Sequence, residues 1–390
     1  MLIGFFIGYS ESMKAKSYFD AILWQERLEN DVTYCLSAEE GVVAVDGLDL
    51  GSDLLEWVSS CFLIKSSGSS GPPKWVVHSK QGLIKHAALV NAHLEVTKND
   101  VLGLVLPTYH VGGLGVVARA HLTGAQLVSL TVGWSARCCV DFLTENKVSI
   151  LSLVPTQLVD IVAQGLVCPD CIRVVVVGGG RLDSELQSGA GKLGWPIKES
   201  YGMTETGSQI ATGELTGSGF LNIINSWQAR LSDEGVLELK SDCLFKGYLV
   251  GSLGDFEFID PKVDGWFTTS DLADLIEIDG KMGMKFLRRI DQQVKILGEL
   301  VDISSLEKSL TEVLQYEVYL IPLSDERRGM KLFPVVDQAS MIDPIRNLGW
   351  SGLHHLEDPV MVPNFPRNAM GKLQRVKLAE AVESIVFSAY

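Results

Sequence analysis

Residues Ser66, Ser67, Gly68, Ser69, Ser70 and Gly71 form two tandem Ser-Ser-Gly units, followed at once by Pro72-Pro73-Lys74. Small hydroxylated residues and glycines leave successive backbone N–H groups open, and such a run makes a concavity for an anion. Lys74 adds a full positive charge behind it. The flanking runs CFLIK and WVVHS read as strands, so the loop is a tight excursion at a strand end, where α/β sheets place ligands. A Walker loop would need GxxxxGK[ST]; here Gly68 and Gly71 lie too close together and prolines precede the lysine. Taken alone, a Ser/Gly-rich surface loop explains the stretch equally well.

Further chemistry-bearing residues follow in order. In YGMTETGSQIAT, Tyr201 offers a face on which a base can stack. Thr204 offers a hydroxyl to a phosphate, and Glu205 is a hard oxygen ligand suited to magnesium on a triphosphate. Asp271, which closes TTSD, could accept both ribose hydroxyls, and Arg289 in RRID presents forked donors to ribose or phosphate. Lys372 follows Gly371 in PNFPRNAMGKLQR near the C-terminal end. Any one of these is an ordinary turn or surface charge. Five in this order are hard to explain that way.

The elements that must hold these residues are legible in outline. From about residue 100 to 200, apolar strands alternate with amphipathic segments. VLGLVLP, AQLVSL, VSILSLV and CIRVVVV read as strands. GGLGVVARAHLTG (closed by Gly124), SARCCVDFLTENK and PTQLVDIVAQG (opened by Pro155) read as helices. This predicts a mostly parallel sheet with helices on its faces. Between about 220 and 290 short strands with turns (GVLELKS, LFKGYLV, GWFTTSD, KMGMKFLRRID) predict a small antiparallel, barrel-like subdomain. After Asp291 a small α+β unit is expected, with SSLEKSLTEVL as a helix capped by Ser304 and LQRVKLAEAVESIVFSA as a closing helix. The fold expected is therefore α/β, with a large N-terminal domain over residues 1–290 and a smaller C-terminal domain over residues 291–390.

Composition bounds the partners. The formal net charge is −15, from 33 Lys and Arg against 48 Asp and Glu, so no nucleic acid is expected as a partner. An anionic nucleotide would have to be held by local N–H groups, magnesium and a few placed cations. Hydrophobic residues make up 46% of the chain, yet no run of eighteen apolar residues occurs, and no membrane span is expected. The opening MLIGFFIGYS lacks a basic segment and a cleavage site, so it reads as mature sequence. Seven cysteines do not suit a disulfide framework, and a cytoplasmic setting is expected. Cys168 and Cys171 have CxxC spacing, but they precede a strand instead of opening a helix, and no second pair follows; a structural role is expected.

The order SSGSSGPPK, PTYHVGG, YGMTET, TTSD, RRIDQQVKILGE and PRNAMGKLQR closely resembles the adenylate-forming superfamily of acyl- and aryl-CoA synthetases, luciferases and peptide-synthetase adenylation domains. The resemblance covers residues from roughly 60 to 385. Within that superfamily, PTYHVGGLGVVARA, LVPTQLVDIV and VVVVGGGRLD…YGMTETGSQIAT are similar to the o-succinylbenzoate–CoA ligases of menaquinone biosynthesis. The resemblance implies an ATP-dependent acid–CoA ligase that forms an acyl-adenylate and then an acyl-CoA, with ATP, Mg2+, CoA and a small carboxylic acid as its ligands. It implies that Ser66 to Lys74 cradle pyrophosphate, and that Gly178, Gly179 and Gly180 let adenine and substrate approach the backbone. Tyr201, with Gly202 and Met203 behind it, would flank adenine; Thr204 would bind the α-phosphate and Glu205 magnesium. Asp271 and Arg289 would grip the ribose, and Lys372 would bridge carboxylate and nucleotide. The C-terminal domain is implied to be a mobile lid hinged at Asp291, with Gly298 lining a passage for the pantetheine arm.

His110 sits where the family has a gate to the acyl pocket, although a hydrogen-bonded histidine under a helix start is the plainer reading. Arg119 is the candidate for a second substrate carboxylate, unless it pairs with a structural aspartate. Alternatives remain a ligase for another aryl or acyl acid, a carrier-protein thiol in place of CoA, and a nucleotide-binding member without catalysis. Departures from the family pattern are Trp75, Ser270 and Arg288 where glycine is usual, and only 65 residues before the phosphate loop. A reduced N-terminal subdomain would expose apolar surface, which raises homodimerisation as an expectation.

Overall fold

A computed structural model of the chain describes residues 27–29, 33–37, 41–44, 58–66, 74–180, 182–252, 255–290, 293–296, 299–325, 327–350, 354–368, 371 and 373–388. Four strands come first: β1 Tyr34–Ser37, β2 Gly41–Ala44, β3 Cys61–Ser66 and β4 Lys74–Ser79. After the helix Lys80–His93, strands β5 Val101–Leu104, β6 Gln126–Ser129, β7 Ile150–Leu153, β8 Val174–Val177 and β9 Ile197–Met203 alternate with helices Val111–Thr123, Ala136–Glu145, Pro155–Ala163 and Ser184–Lys192. These five strands pair in parallel. The sequence of β8, four valines, is what such a strand needs, because it is buried on both faces. The predicted helix ends are observed: Gly124 closes its helix at φ 66°, and Pro155 opens the next.

The antiparallel strands expected over 220–290 are present and divide between two sheets. With β10 Ser208–Glu214 as the first, β11 Leu221–Ile223, β12 Gln228–Leu231, β13 Val236–Lys240, β14 Gly247–Ser252, β15 Asp255–Ile259, β16 Phe267–Ile278 and β17 Lys281–Arg289 follow in chain order. One eleven-stranded sheet runs β12-β13-β16-β17-β11-β10-β9-β8-β7-β5-β6, and a six-stranded sheet runs β15-β14-β4-β3-β1-β2. The passage of β14 into the second sheet sets Tyr248 opposite Val76 and Val250 opposite Lys74. That crossing brings β4 to the turn at Glu205.

The C-terminal elements build their own cores. A hairpin of β18 Gln293–Ile296 and β19 Glu299–Asp302 leads to the helix Ile303–Leu314, then β20 Tyr319–Asp325, β21 Gly329–Val336 and β22 Val360–Met361, and finally the helix Arg375–Ser388. Ile296, Leu306, Leu310, Leu320 and Leu332 form one apolar cluster; Ile321, Val335, Leu378 and Val382 form another. The cap expected at Ser304 is instead Asp302, whose carboxylate accepts from the Ser305 N–H at 3.1 Å. The hairpin ends one residue before the helix, so the first competent acceptor takes the role. No helix among the described residues is long and apolar enough to cross a membrane.

One polar knot ties the parallel region together. The Arg173 guanidinium donates to both oxygens of buried Asp100, at 2.8 and 3.0 Å, and to the carbonyls of Leu94 and Glu95. Asp100 also accepts from the Thr97 N–H and the Ser149 hydroxyl. Arg173, followed by these neutral donors, holds the Asp100 carboxyl well below the usual carboxylate range. A carboxylate with a depressed folded value contributes stability above its unfolded value, about pH 3.9, and loses it as pH falls toward the folded value. Arg173→Met is expected to cost about 3 kcal/mol at pH 7 by stranding a buried charge, measured by urea unfolding. The gap to the wild type should narrow below about pH 4; a gap independent of pH would show that the ion pair is not its source.

Candidate active site

The side chains of β4 alternate faces, so Lys74, Val76 and His78 point one way and Trp75 and Val77 the other. On the first face the Lys74 ammonium lies 3.7 Å from the centroid of the Tyr248 ring, a cation–π contact. The Tyr248 hydroxyl donates to Glu205 Oε1 at 2.8 Å. Burial and the Glu205 carboxylate both push that phenol's pKa upward, so it remains a donor. The carboxylate expected to meet magnesium is thus oriented by a neutral hydroxyl and leaves its other oxygen for a ligand. Such a donor set suits magnesium, which keeps several waters and takes one or two carboxylates beside phosphate oxygens.

His78 was not singled out by sequence. Its Nε2 lies 2.6 Å from the Thr204 carbonyl, and it is buried. Burial lowers its pKa to about 4, so the ring is neutral and donates Nε2–H to that carbonyl. This fixes the turn Thr204–Thr206 that carries Thr204 and Glu205. The turn also depends on Gly202: a Cβ there would meet the Ser208 carbonyl oxygen at 2.0 Å, so only glycine lets β9 and β10 close around it. The sequence signal available was weak, since a histidine inside VVHS reads as an ordinary strand residue.

Tyr201, at the end of β9, stacks on Phe286 at 6.1 Å between centroids and donates its hydroxyl to Asp271 at 2.5 Å. Asp271 and Arg289 are cross-strand partners, with Arg289 Nε 3.8 Å from Asp271 Oδ1. Three residues separated by up to 88 positions in sequence therefore share one corner. Gly178, Gly179 and Gly180 follow β8 at the same end of the sheet, with Gly180 beside Pro155.

The acyl-side candidates lie on the helix Val111–Thr123. His110 precedes it, makes no capping bond, and keeps a buried Nε2 without a partner among the described residues. The hydrogen bond of the plainer reading is not made by Nε2 among the described residues. Burial lowers its pKa to about 4. Arg119 is 4% exposed; its Nε donates to the Gly115 carbonyl at 3.2 Å and Nη2 to Ser152 Oγ at 3.1 Å. Nη1 has no partner among the described residues. No aspartate pairs with it among the described residues. Burial brings its pKa down to about 10, which leaves it cationic.

Ser67, Gly68, Ser69, Ser70, Gly71, Asp291, Gly298 and Lys372 lie outside the described residues, and of Ser66 only the backbone is described. The residue before Lys372 is informative. Gly371, at φ 72°, would place a Cβ 2.6 Å from Thr156 Oγ1 at the start of the helix Pro155–Ala163. Its carbonyl accepts from Arg367 and its N–H donates to Asn368. The three departures are accommodated. Trp75 packs on the far face of β4 with Leu63, Val77 and Leu249, away from Lys74. Ser270 is exposed on β16, and Arg288 lies 3.6 Å from Asp302.

Fold and site together define an α/β enzyme with polar and charged side chains gathered at the ends of a parallel sheet, followed in the chain by a small α+β unit. Residues 28–249 match the AMP-binding enzyme family, more than half of the chain, and the protein belongs to that family. Among curated relatives, a 2-succinylbenzoate–CoA ligase of Listeria monocytogenes is 27% identical over 336 residues, covering 82% of this chain and 69% of the relative. Another, of Bacillus licheniformis, is 28% identical over 339 residues, with 81% and 69% covered. Among solved structures, o-succinylbenzoate CoA synthetase of Bacillus subtilis with its acyl-adenylate intermediate superimposes with a TM-score of 0.67 at 22% identity, covering 81% of this chain and 68% of that one. ATP-bound MatB of Rhodopseudomonas palustris gives 0.68 at 22% identity, with 83% and 68% covered. The fold alone does not choose between acids.

Tyr248→Phe removes only the hydroxyl that orients Glu205. It is expected to weaken binding of magnesium–ATP about 10-fold and to leave binding of AMP unchanged, as read by calorimetry. Equal losses for both nucleotides would show that the hydroxyl shapes the pocket instead of the metal-facing carboxylate.

Proposed function

We propose that this protein is an ATP-dependent acid–CoA ligase acting on 2-succinylbenzoate. The observation that carries the choice of a dicarboxylic acid is Arg119, a buried guanidinium whose protein partners are neutral oxygens. A cation removed from water without a counter-charge is costly, and a substrate carboxylate would offset that cost. Family membership and the named relatives support the remainder of the reading.

In the first half-reaction a substrate carboxylate oxygen attacks the α-phosphorus of ATP, the bond to the bridging oxygen breaks, and pyrophosphate leaves. The loop from Ser66 to Lys74 holds the departing group with its N–H donors and ammonium. Thr204 addresses the α-phosphate, Tyr201 flanks adenine, and Asp271 and Arg289 engage the ribose. Glu205 would hold magnesium, which supplies charge neutralisation on the phosphates when bound. His110 gates the acid pocket. Lys372 enters between the carboxylate and the nucleotide, where a fixed ammonium stabilises the charge that builds on phosphorus. In the second half-reaction the thiolate of CoA attacks the acyl carbon and AMP leaves. The unit from residue 291 onward turns about Asp291 between the two steps, and Gly298 lines the path of the pantetheine arm. The approach of Gly371 to Thr156 supports an arrangement fit for the first step.

The cysteines, free throughout, suit a cytoplasmic setting. Homodimerisation remains part of the proposal; a single-chain mass by light scattering would remove it.

Lys372→Ala is expected to lower ATP–pyrophosphate exchange by at least roughly 10²–10³-fold, while thioester formation from supplied acyl-adenylate largely survives. Wild-type exchange in that variant would overturn the assignment. Across a panel of acids, 2-succinylbenzoate should give the highest kcat/KM. Arg119→Leu should lower that value about 100-fold, the worth of a charged hydrogen-bonded contact, and abolish discrimination against a monocarboxylate analogue. Unchanged selectivity would reject the dicarboxylate reading.

A further inference from the structure

Arg119 does not line its cavity alone. Leu83, His86 and Val90 from the helix Lys80–His93 face Leu114 and Arg119 across it, with Gly207 at one end. His86 is 2% exposed, and neither of its ring nitrogens meets a hydrogen-bond partner among the described residues. With Arg119 Nη1, three buried nitrogens around one small cavity lack partners. Buried polar groups are partnered in the great majority of cases, and the contrast with His78, satisfied by the Thr204 carbonyl, is local. The His86 ring also lies edge-to-face against Trp227 at 6.0 Å between centroids, and the indole N–H of Trp227 is likewise buried without a partner among the described residues.

The space in front of the ring is kept open by the backbone. Gly207, at φ 72°, would place a Cβ 3.7 Å from His86 Cδ2 and 3.0 Å from Leu83 Cδ2. Gly115, on the facing helix, likewise leaves room beside Ser208. The space is small, about 10 Å³, so it suits one compact anionic group presented by a ligand whose hydrophobic body lies outside it.

We propose that His86 is a specificity-determining residue of the acid pocket, donating one ring N–H to the same carboxylate that Arg119 pairs with. This rests on the dicarboxylate reading given above. Burial first, then the neighbouring His78 and the positive charge of Arg119, lowers the His86 pKa to about 3. The ring therefore acts as a neutral donor. One guanidinium then balances one carboxylate, and the imidazole adds direction without a second buried charge.

The test compares ATP–pyrophosphate exchange on 2-succinylbenzoate and on 4-oxo-4-phenylbutanoate, which lacks one of the two carboxylates. His86→Leu should raise KM for 2-succinylbenzoate about 10–100-fold, leave kcat within a few-fold, and leave KM for the monocarboxylate unchanged. Its thermal midpoint should equal or exceed that of the wild type, because two unpartnered nitrogens are removed from the interior. His86→Gln, which retains a donor, should recover much of the KM. In the wild-type protein the His86 ring nitrogen resonances should shift on binding 2-succinylbenzoate and not on binding the monocarboxylate. Equal rises in KM for both acids, no rise, or unshifted resonances would overturn the proposal while leaving the dicarboxylate reading intact. Wild-type exchange that prefers the monocarboxylate would remove that reading and this inference with it.

Discussion

The architecture of the site depends on one face of a six-residue strand. Because β4 alternates sides, Lys74, Val76 and His78 all look toward the turn at Thr204–Thr206. Lys74 reaches it through the Tyr248 ring and hydroxyl to Glu205. His78 reaches it through the Thr204 carbonyl. Between them Val76 packs with Phe245, Tyr248 and Phe267 in a shared apolar cluster. The six-stranded and eleven-stranded sheets are thus joined at the point where an ammonium, a hydroxyl and a carboxylate keep fixed spacing. A slip of β4 by one residue would turn Trp75 inward and remove all three contacts at once.

Much of this was legible in the sequence, for identifiable reasons. Valines in an unbroken run, Gly124 after a helical pattern and Pro155 before one are local signals, and each produced the expected element. The motif order placed Tyr201, Asp271 and Arg289 on one site before their shared corner was visible. What escaped was non-local. His78 and Thr204 are 126 residues apart and Tyr248 and Glu205 are 43 apart; their residue types are unremarkable in strands. LFKGYLV reads as a strand, but nothing in it says which sheet it joins. The cap at Asp302 was missed because Ser304 is an equally good cap by type, and only the end of the preceding hairpin decides between them.

The C-terminal unit meets the rest of the site through a different kind of contact. Gly371 rests on Thr156 with no room for a side chain, and its turn is stiffened by Arg367, which also pairs with Glu317 at 2.6 Å. The apolar clusters of this unit are built from its own strands and helices. In the proposed cycle, a turn held by Arg367 and apposed through a glycine would carry the next residue, Lys372, toward the nucleotide.

Electrostatics impose the remaining logic. The chain carries a net charge of −15, and its substrates would be anions that repel one another and the protein. Around the candidate site the histidines are held neutral by burial: His78 and His110 near pKa 4 and His86 near 3. The positive charge there rests instead on lysine and arginine, with Arg119 still about 10 after desolvation. Imidazoles that changed charge near neutrality would alter the attraction for two anions with every small shift in pH. By keeping those rings neutral and placing permanent cations beside them, the fold separates two tasks. The hydrogen bond from His78 fixes the direction of the Thr204 turn, and arginine and lysine set charge. In the proposed reaction, accommodating a dicarboxylic acid beside a triphosphate would depend on both, because directional donors alone cannot offset the repulsion and cations alone cannot select the shape.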